Sequence, residues 1–264
     1  MNSNPNKIKD LVKEGYGNIA RTGDSCCGPQ NCCDNLSGVS FSEGYDKVEG
    51  YVADADLGLG CGLPTEEAFI KPGETVLDLG SGAGNDVFIA SSLVGPEGRV
   101  IGLDMTEDMV ARARENATKL GRTNVEFVHG EIESIPLPDA EIDLVMSNCV
   151  LNLVPNKTQA FREIHRVTKP GGRFAISDVV LHGELPPDLA AASLMYVGCV
   201  AGAQQEVEYL ATIAEAGFRE VVVEKSREIR LPEGVVAKVL GEEGAVEFQA
   251  SGVKIMSITV TGRR

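Results

Sequence analysis

Residues 74–86 read ETVLDLGSGAGND. A short apolar run ends on glycine, and two more glycines follow at alternate positions before an apolar segment resumes. That order is a buried strand, a tight turn and a helix start. Working outward, the same unit repeats. RVIGLDM (99–105) has strand character. TEDMVARARENATKLG (106–121) has helical character, with Thr106 as N-cap, acids in its first turn and Gly121 closing it. VEFVHG (125–130) and IDLVMSN (142–148) are strands. KTQAFREIHRVT (157–168) is a helix stopped by the turn Lys169-Pro170-Gly171-Gly172, and RFAISDVV (173–180) is the next strand. A helix over 206–218 and β-branched runs at 220–229 and 253–262 complete the series. Strands alternating with helices predict an α/β fold, a parallel sheet with helices on both faces.

The flanks differ. Residues 5–21 have helical spacing, with Pro5 in the first turn and Ile8, Leu11, Val12, Tyr16 and Ile19 on one face. Residues 22–64 are rich in Gly, Ser, Asp, Asn and Cys and predict loop and short turns, a possible lid. The expected organisation is therefore 1–64, an N-terminal helix and cysteine-rich loop, and 65–264, the α/β domain. An insert near 181–204, with a helix at 188–198, interrupts the alternation. The chain has 39 acidic against 24 basic residues, a formal net charge of −15. That balance disfavours nucleic acid and anionic membrane, both of which reward basic patches. The polar start MNSNPNKIKD lacks the apolar core of a signal peptide, and no apolar run approaches the roughly 20 residues of a membrane span. A cytoplasmic location is expected.

The loop after the first strand is G-x-G-x-G, Gly80 to Gly84. The dinucleotide fingerprint needs its third glycine one residue later, so the spacing suits a nucleoside ligand without pyrophosphate. Asp104 closes the second strand about 20 residues on, where a carboxylate would accept ribose hydroxyls. By itself a glycine loop is only a tight turn; with Asp104 it points to a nucleoside.

Seven cysteines remain. SCCGPQNCC (25–33) holds Cys26, Cys27, Cys32 and Cys33; Cys61, Cys149 and Cys199 are scattered downstream. The cytoplasmic reading and the odd count argue against a disulfide framework. Each scattered cysteine is by default a small core residue. Cys61, however, lies between glycines and before a proline, which predicts exposure, and Cys149 directly follows the fourth strand, at the ligand-binding end of such sheets. The N-terminal cluster has loose zinc spacing, but its adjacent pairs make a tetrahedral site awkward, so no structural metal is expected. His129, His165 and His182 form no catalytic constellation with a serine or cysteine.

The glycine loop, Asp104 and the Lys169–Gly172 turn together resemble class I S-adenosylmethionine methyltransferases. The resemblance covers residues 65–262 and implies a Rossmann-like, seven-stranded, mostly parallel sheet whose last strand is antiparallel, paired through a C-terminal hairpin. It implies Gly80, Ser81 and Gly82 near the methionine part of the cofactor, Asp104 on the ribose, Met105 on the adenine, Glu131 and Ile132 at the adenine edge, and Asn148 near the methionine moiety. The family often has Asp where this chain has Glu131.

More specifically, LGLGCGLP (57–64), DLGSGAGND (78–86), GLDMT (102–106), SNCVLNLVP (147–155), KPGGRFAISDVV (169–180), ELP (184–186) and GCVAGA (198–203) resemble bacterial arsenite methyltransferases. That resemblance implies As(III) held by Cys61, Cys149 and Cys199, a further redox cysteine that is Cys32 or Cys33, and an arsenic lone pair as nucleophile, so that no general base is needed. Soft thiolates suit a soft centre. It also implies an external thiol reductant, thioredoxin or glutathione, acting by disulfide exchange, and casts residues 25–33 as a thiol relay. Leu59 stands where some relatives have an aromatic. Two other readings stay open: a methyltransferase of a small organic substrate such as a quinone precursor, and a non-catalytic metalloid-binding protein.

Overall fold

The computed structural model describes residues 5–22, 48–192, 200, 202–231 and 233–264. Eight helices and seven strands are named here: α1 Pro5–Thr22, α2 Pro64–Glu67, β1 Thr75–Leu79, α3 Asn85–Val94, β2 Arg99–Asp104, α4 Glu107–Lys119, β3 Val125–His129, β4 Ile142–Asn148, α5 Lys157–Val167, β5 Thr168–His182, α6 Pro187–Ala191, α7 Glu206–Glu215, β6 Arg219–Ile229, α8 Glu233–Ala250 and β7 Lys254–Arg263. The strands form one sheet in the order β3-β2-β1-β4-β5-β7-β6. β1 pairs in parallel with β2 (Val76 to Val100) and with β4 (Leu77 to Val145). β7 is antiparallel to both β5 and β6. The expected seven-stranded sheet with an antiparallel last strand is what the chain forms.

The central strands are apolar on both faces because helices cover both. Alternation sends Val76, Leu144 and Met146 toward α3 and α4, where they pack with Phe88, Met109 and Ala113. Leu77, Leu79 and Val145 go to the other side and pack with Phe161, Ile164, Phe174 and Tyr209 from α5, β5 and α7. Aromatic edge-to-face pairs tie each layer: Phe88 with Phe127, and Phe161 with Tyr209. A third apolar cluster lies over the carboxyl ends of β4 and β5. It joins Val12 of α1 to Cys61, Cys149, Leu153, Val179, Leu189 and Ile255.

Three features depart from the sequence reading. First, β5 begins at Thr168 and runs to His182, through the expected turn. Its pairing with β4 jumps from Ile142–Thr168 to Leu144–Arg173, so the Lys169–Gly172 segment is an irregularity inside a strand rather than a break before one. Arg264 fastens it: Gly171 N–H donates to the Arg264 carbonyl, and Arg264 N–H to Gly172. Second, β6 and β7 are not joined by a hairpin turn. The 18-residue α8, kinked at Gly241, intervenes, yet Ile229 still pairs with Ile255. Third, the insert's helix runs over Pro187–Ala191 and Ala192 after it is extended; residues 193–198 of the expected helix lie outside the described residues. Among the described residues, no helix is long and apolar enough to cross a membrane.

Candidate active site

β1 and β4 are neighbours in the sheet although α3, β2, α4 and β3 lie between them in the chain; the strand order reverses here, and at this reversal a cleft opens beyond the strand ends. About 1100 Å³ of space lies within the cleft and its open mouth. Its near wall is the β1–α3 loop. Gly80 and Gly82 take φ of 67° and 52°, in the left-handed region that side chains resist. A Cβ on Gly80 would strike Val150 at 2.4 Å, so that glycine is required by packing. A Cβ on Gly82 would meet nothing within 4 Å, because it would project into open space.

Asp104 closes β2 and is pinned by backbone donors: Gly82 N–H gives 2.9 Å to Oδ2, and Thr106 N–H gives 2.8 Å to Oδ1. Enclosure pushes its carboxyl up, while those two donors hold it down; the net direction is up. Asp78, fully enclosed behind the loop, is pushed well above the ordinary carboxylate range by burial and by the neighbouring charges of Asp86 and Asp104. The crowding of Asp78, Asp86 and Asp104 penalises their charged forms, a penalty that a cationic ligand on this side of the cleft would relieve. Met105, Glu131, Ile132 and Ser81 also line the cleft. Glu131 is engaged from above by α1, with Lys9 Nζ at 2.7 Å and Lys13 Nζ at 3.3 Å; Lys9 also pairs with Glu133. The Lys9 hydrogen bond, opposed by burial and helped by Lys13, lowers the Glu131 carboxyl. With Val12 and Tyr16, Lys9 brings α1 to the cleft as part of its rim.

The far wall carries the sulfurs. Cys149 follows β4 directly with φ of 60°, a conformation rare for a residue with a Cβ and worth about 1–3 kcal/mol of strain. Its amide donates to the Ser177 carbonyl at 2.8 Å, which helps hold that conformation. Cys61 is not exposed, as its glycine neighbours suggested, but fully buried. The glycines have the opposite use: without a Cβ, Gly60 sits against Asn148 and Gly62 against Ser177, so the loop lies flat on the strand ends. Asn148 clamps it. Its Oδ1 accepts from Cys61 N–H at 3.0 Å, and its Nδ2 donates to the Gly62 carbonyl at 2.9 Å and to Asp86 at 3.2 Å. Asn148 therefore links Asp86 on one wall to the Cys61 loop on the other. Ser257 of β7 donates to the Cys61 carbonyl at 2.7 Å.

These constraints bring together two thiols far apart in the chain, and a third group that the sequence reading passed over. The ligand atoms of Cys61, Cys149 and Asp178 all lie within 4.8 Å of one another, and all three residues are buried. Asp178 is on β5; its Oδ1 accepts from Val179 N–H at 2.9 Å and its Oδ2 from the Tyr209 hydroxyl at 3.1 Å. Burial pushes its carboxyl up to about 7, against the Lys157 charge and those two donors. Burial beside Asp178 and the two cysteines also pushes the Tyr209 phenol well above its usual range. The signal in the sequence was a lone acid inside the apolar run AISDVV. Cys199, Cys26, Cys27, Cys32 and Cys33 lie outside the described residues.

A glycine-walled, acid-lined cleft at the switch point of this sheet defines a class I S-adenosylmethionine-dependent methyltransferase, and the chain belongs to that family: a model described as "Methyltransferase domain" matches residues 70–217. Within the class its likeness is to arsenite methyltransferases. It is 47% identical over 231 residues to the arsenite methyltransferase of Halobacterium salinarum, covering 83% of this chain and 59% of that one. It superposes on the crystal structure of CrArsM, an arsenic (III) S-adenosylmethionine methyltransferase from Chlamydomonas reinhardtii, with TM-score 0.65 and 30% identity over 85% of this chain and 72% of that one. The demethylmenaquinone methyltransferase of Listeria monocytogenes is 38% identical over 109 residues, 41% of this chain and 46% of that one. The chain spans little more than half the length of the curated arsenite methyltransferases named first by similarity.

Proposed function

We propose that the protein transfers the methyl group of S-adenosylmethionine to trivalent arsenic held by cysteine thiolates. The observation that carries this reading is the pair of buried thiols, Cys61 and Cys149, within 4.8 Å of each other and of Asp178 at the edge of the cofactor cleft. Most folds of this class need only the cleft; two convergent sulfurs beside it are what a thiophilic substrate asks for.

The cleft suits the methyl donor. Gly82 leaves open space where a side chain would intrude, and three acids face a molecule that carries a positive sulfonium and a positive ammonium. Gly80, Ser81 and Gly82 would hold the methionine part, Asp104 the ribose, and Met105, Glu131 and Ile132 the adenine. When bound, the donor supplies an electrophilic methyl carbon. The chain's part is positional. Asn148 links the cofactor wall to the Cys61 loop through one side chain, so it fixes the distance between the two reactants. The apolar cluster around the cysteines excludes water from the arsenic side. No residue is needed to remove a proton from the nucleophile.

Cys199 would be the third arsenic ligand, and Cys32 or Cys33 the redox partner of Cys61. Residues 1–64 would act as the lid, 65–264 as the catalytic domain with its substrate insert near 181–204. Thioredoxin or glutathione would return the electrons that arsenic loses on methylation. The test is to give the purified protein arsenite, S-adenosylmethionine and a thiol, and to identify the arsenic species by chromatography with mass detection. Methylated arsenic, with S-adenosylhomocysteine formed only when arsenite is present, is the expected result. S-adenosylhomocysteine formed at a rate unaffected by arsenite would favour a small organic substrate, the reading that the likeness to demethylmenaquinone methyltransferase over 109 residues supports.

A further inference from the structure

Cys61, Cys149 and Asp178 offer two sulfurs and one carboxylate oxygen, a mixed donor set. Arsenic(III) favours thiolates alone, whereas tetrahedral d10 cations readily combine sulfur with oxygen. We propose that these three residues form a binding site for a thiophilic divalent cation, Zn2+ or Cd2+, and that such a cation blocks the thiols the substrate needs. Binding itself does not depend on the arsenic reading; only the inhibition does.

Each requirement of a metal site finds an observation. A tetrahedral zinc with sulfur at about 2.3 Å would set its ligand atoms about 3.8 Å apart, and the three atoms here lie within 4.8 Å before any cation draws them in. The supporting shell is in place. Tyr209 and Val179 donate to the two Asp178 oxygens, leaving a lone pair on each; Asn148 and Ser257 fix the Cys61 backbone, and Ser177 fixes that of Cys149. Cys149 opens on the cleft, which gives an entry path and a fourth position for water. The site is buried within an apolar cluster, where the donors can ionise only with a cation beside them. On binding, the cation forms two metal–sulfur bonds and one metal–oxygen bond, and the two thiol protons, with any proton on Asp178, pass to solvent. A bound d10 cation has no lone pair to offer a methyl group, so it occupies the site without turning over.

The experiment uses the whole chain, reduced, with Cys26, Cys27, Cys32 and Cys33 changed to Ser so that the N-terminal thiols cannot compete. Cd2+ is titrated and followed by sulfur-to-metal charge-transfer absorption and equilibrium dialysis. One Cd2+ per chain is expected, lost in Cys61→Ser and in Cys149→Ser. Asp178→Asn should weaken Cd2+ at least about tenfold while arsenite binding persists. Absence of Cd2+ binding in the parent, binding unchanged by Cys61→Ser, or an Asp178→Asn variant that loses Cd2+ and arsenite equally would each overturn the assignment. If Asp178→Asn fails to fold by circular dichroism, Tyr209→Phe removes only the donor to Oδ2. It should weaken Cd2+ by about 10–100-fold, and an unchanged affinity would overturn the proposal.

Discussion

The two walls of the cleft are assembled differently. The wall assigned to the cofactor is built mainly from one stretch, Asp78 to Met105, where a strand, a glycine loop, a helix and a second strand place backbone amides and carboxylates by local geometry, with Glu131 and Ile132 added after β3. The sulfur wall is gathered from residues 61, 149 and 178, on a loop and after or within two different strands. The first wall can be reused for any substrate that takes a methyl group; the second works only if the whole sheet is correctly paired. An enzyme of a different named substrate matches 41% of the chain, whereas the arsenite methyltransferase of Halobacterium salinarum matches 83% of it.

The sharpest way to break the contrast is at the sulfurs. Cys61→Ser and Cys149→Ser should each reduce arsenic methylation to the detection limit, with the Kd for S-adenosylmethionine, measured by calorimetry, unchanged. A parallel loss of cofactor affinity would show that the walls are not separable.

Next in size is a control far from both walls. Arg173, at the amino end of β5, donates to both Glu74 oxygens at 2.7 and 2.8 Å and to the Ala68 and Phe69 carbonyls. Breaking a buried pair of this kind costs about 3–5 kcal/mol, less where solvent reaches it, so Glu74→Gln should lower unfolding free energy by about 2–3 kcal/mol and leave the cofactor Kd alone. Burial alone would raise the Glu74 carboxyl, but the Arg173 hydrogen bonds and the Lys71 N–H outweigh it and lower it. Its contribution is therefore present above the ordinary glutamate range and lost as pH falls through the lowered value. Denaturant titrations across acid pH should show parent and variant converging.

Asp104→Ala should weaken S-adenosylmethionine by about 10–100-fold, the worth of hydrogen bonds to a charged group, with arsenite binding intact by direct titration. Smallest is the rim. Lys9→Ala removes part-exposed ion pairs to Glu131 and Glu133, each worth about 0–1 kcal/mol, so cofactor affinity should fall less than about fivefold. Its dependence on salt should fall as well.

Legibility followed the same division. Strand and helix positions, the glycine loop and Asp104 were readable because each depends on residues near in sequence. α8 was not read, because its segment has little amphipathic contrast and its glycines at 241 and 244 look like turn residues. The burial of Cys61 was read with the wrong sign: glycine neighbours signal exposure in a free loop and close approach in a packed one, and only Asn148 and Ser177 decide which. Asp178 was hidden by its own setting, a single acid in an apolar strand whose partner, Tyr209, lies on another element.

The sequence by itself determined the fold and the glycine loop after β1, since periodicity and turn chemistry act over a few residues. The meeting of Cys61, Cys149 and Asp178 was decided only by tertiary structure. Contacts between positions so distant leave no local pattern, and they exist only once strand order, register and the clamp of Asn148 have fixed where the strand ends lie.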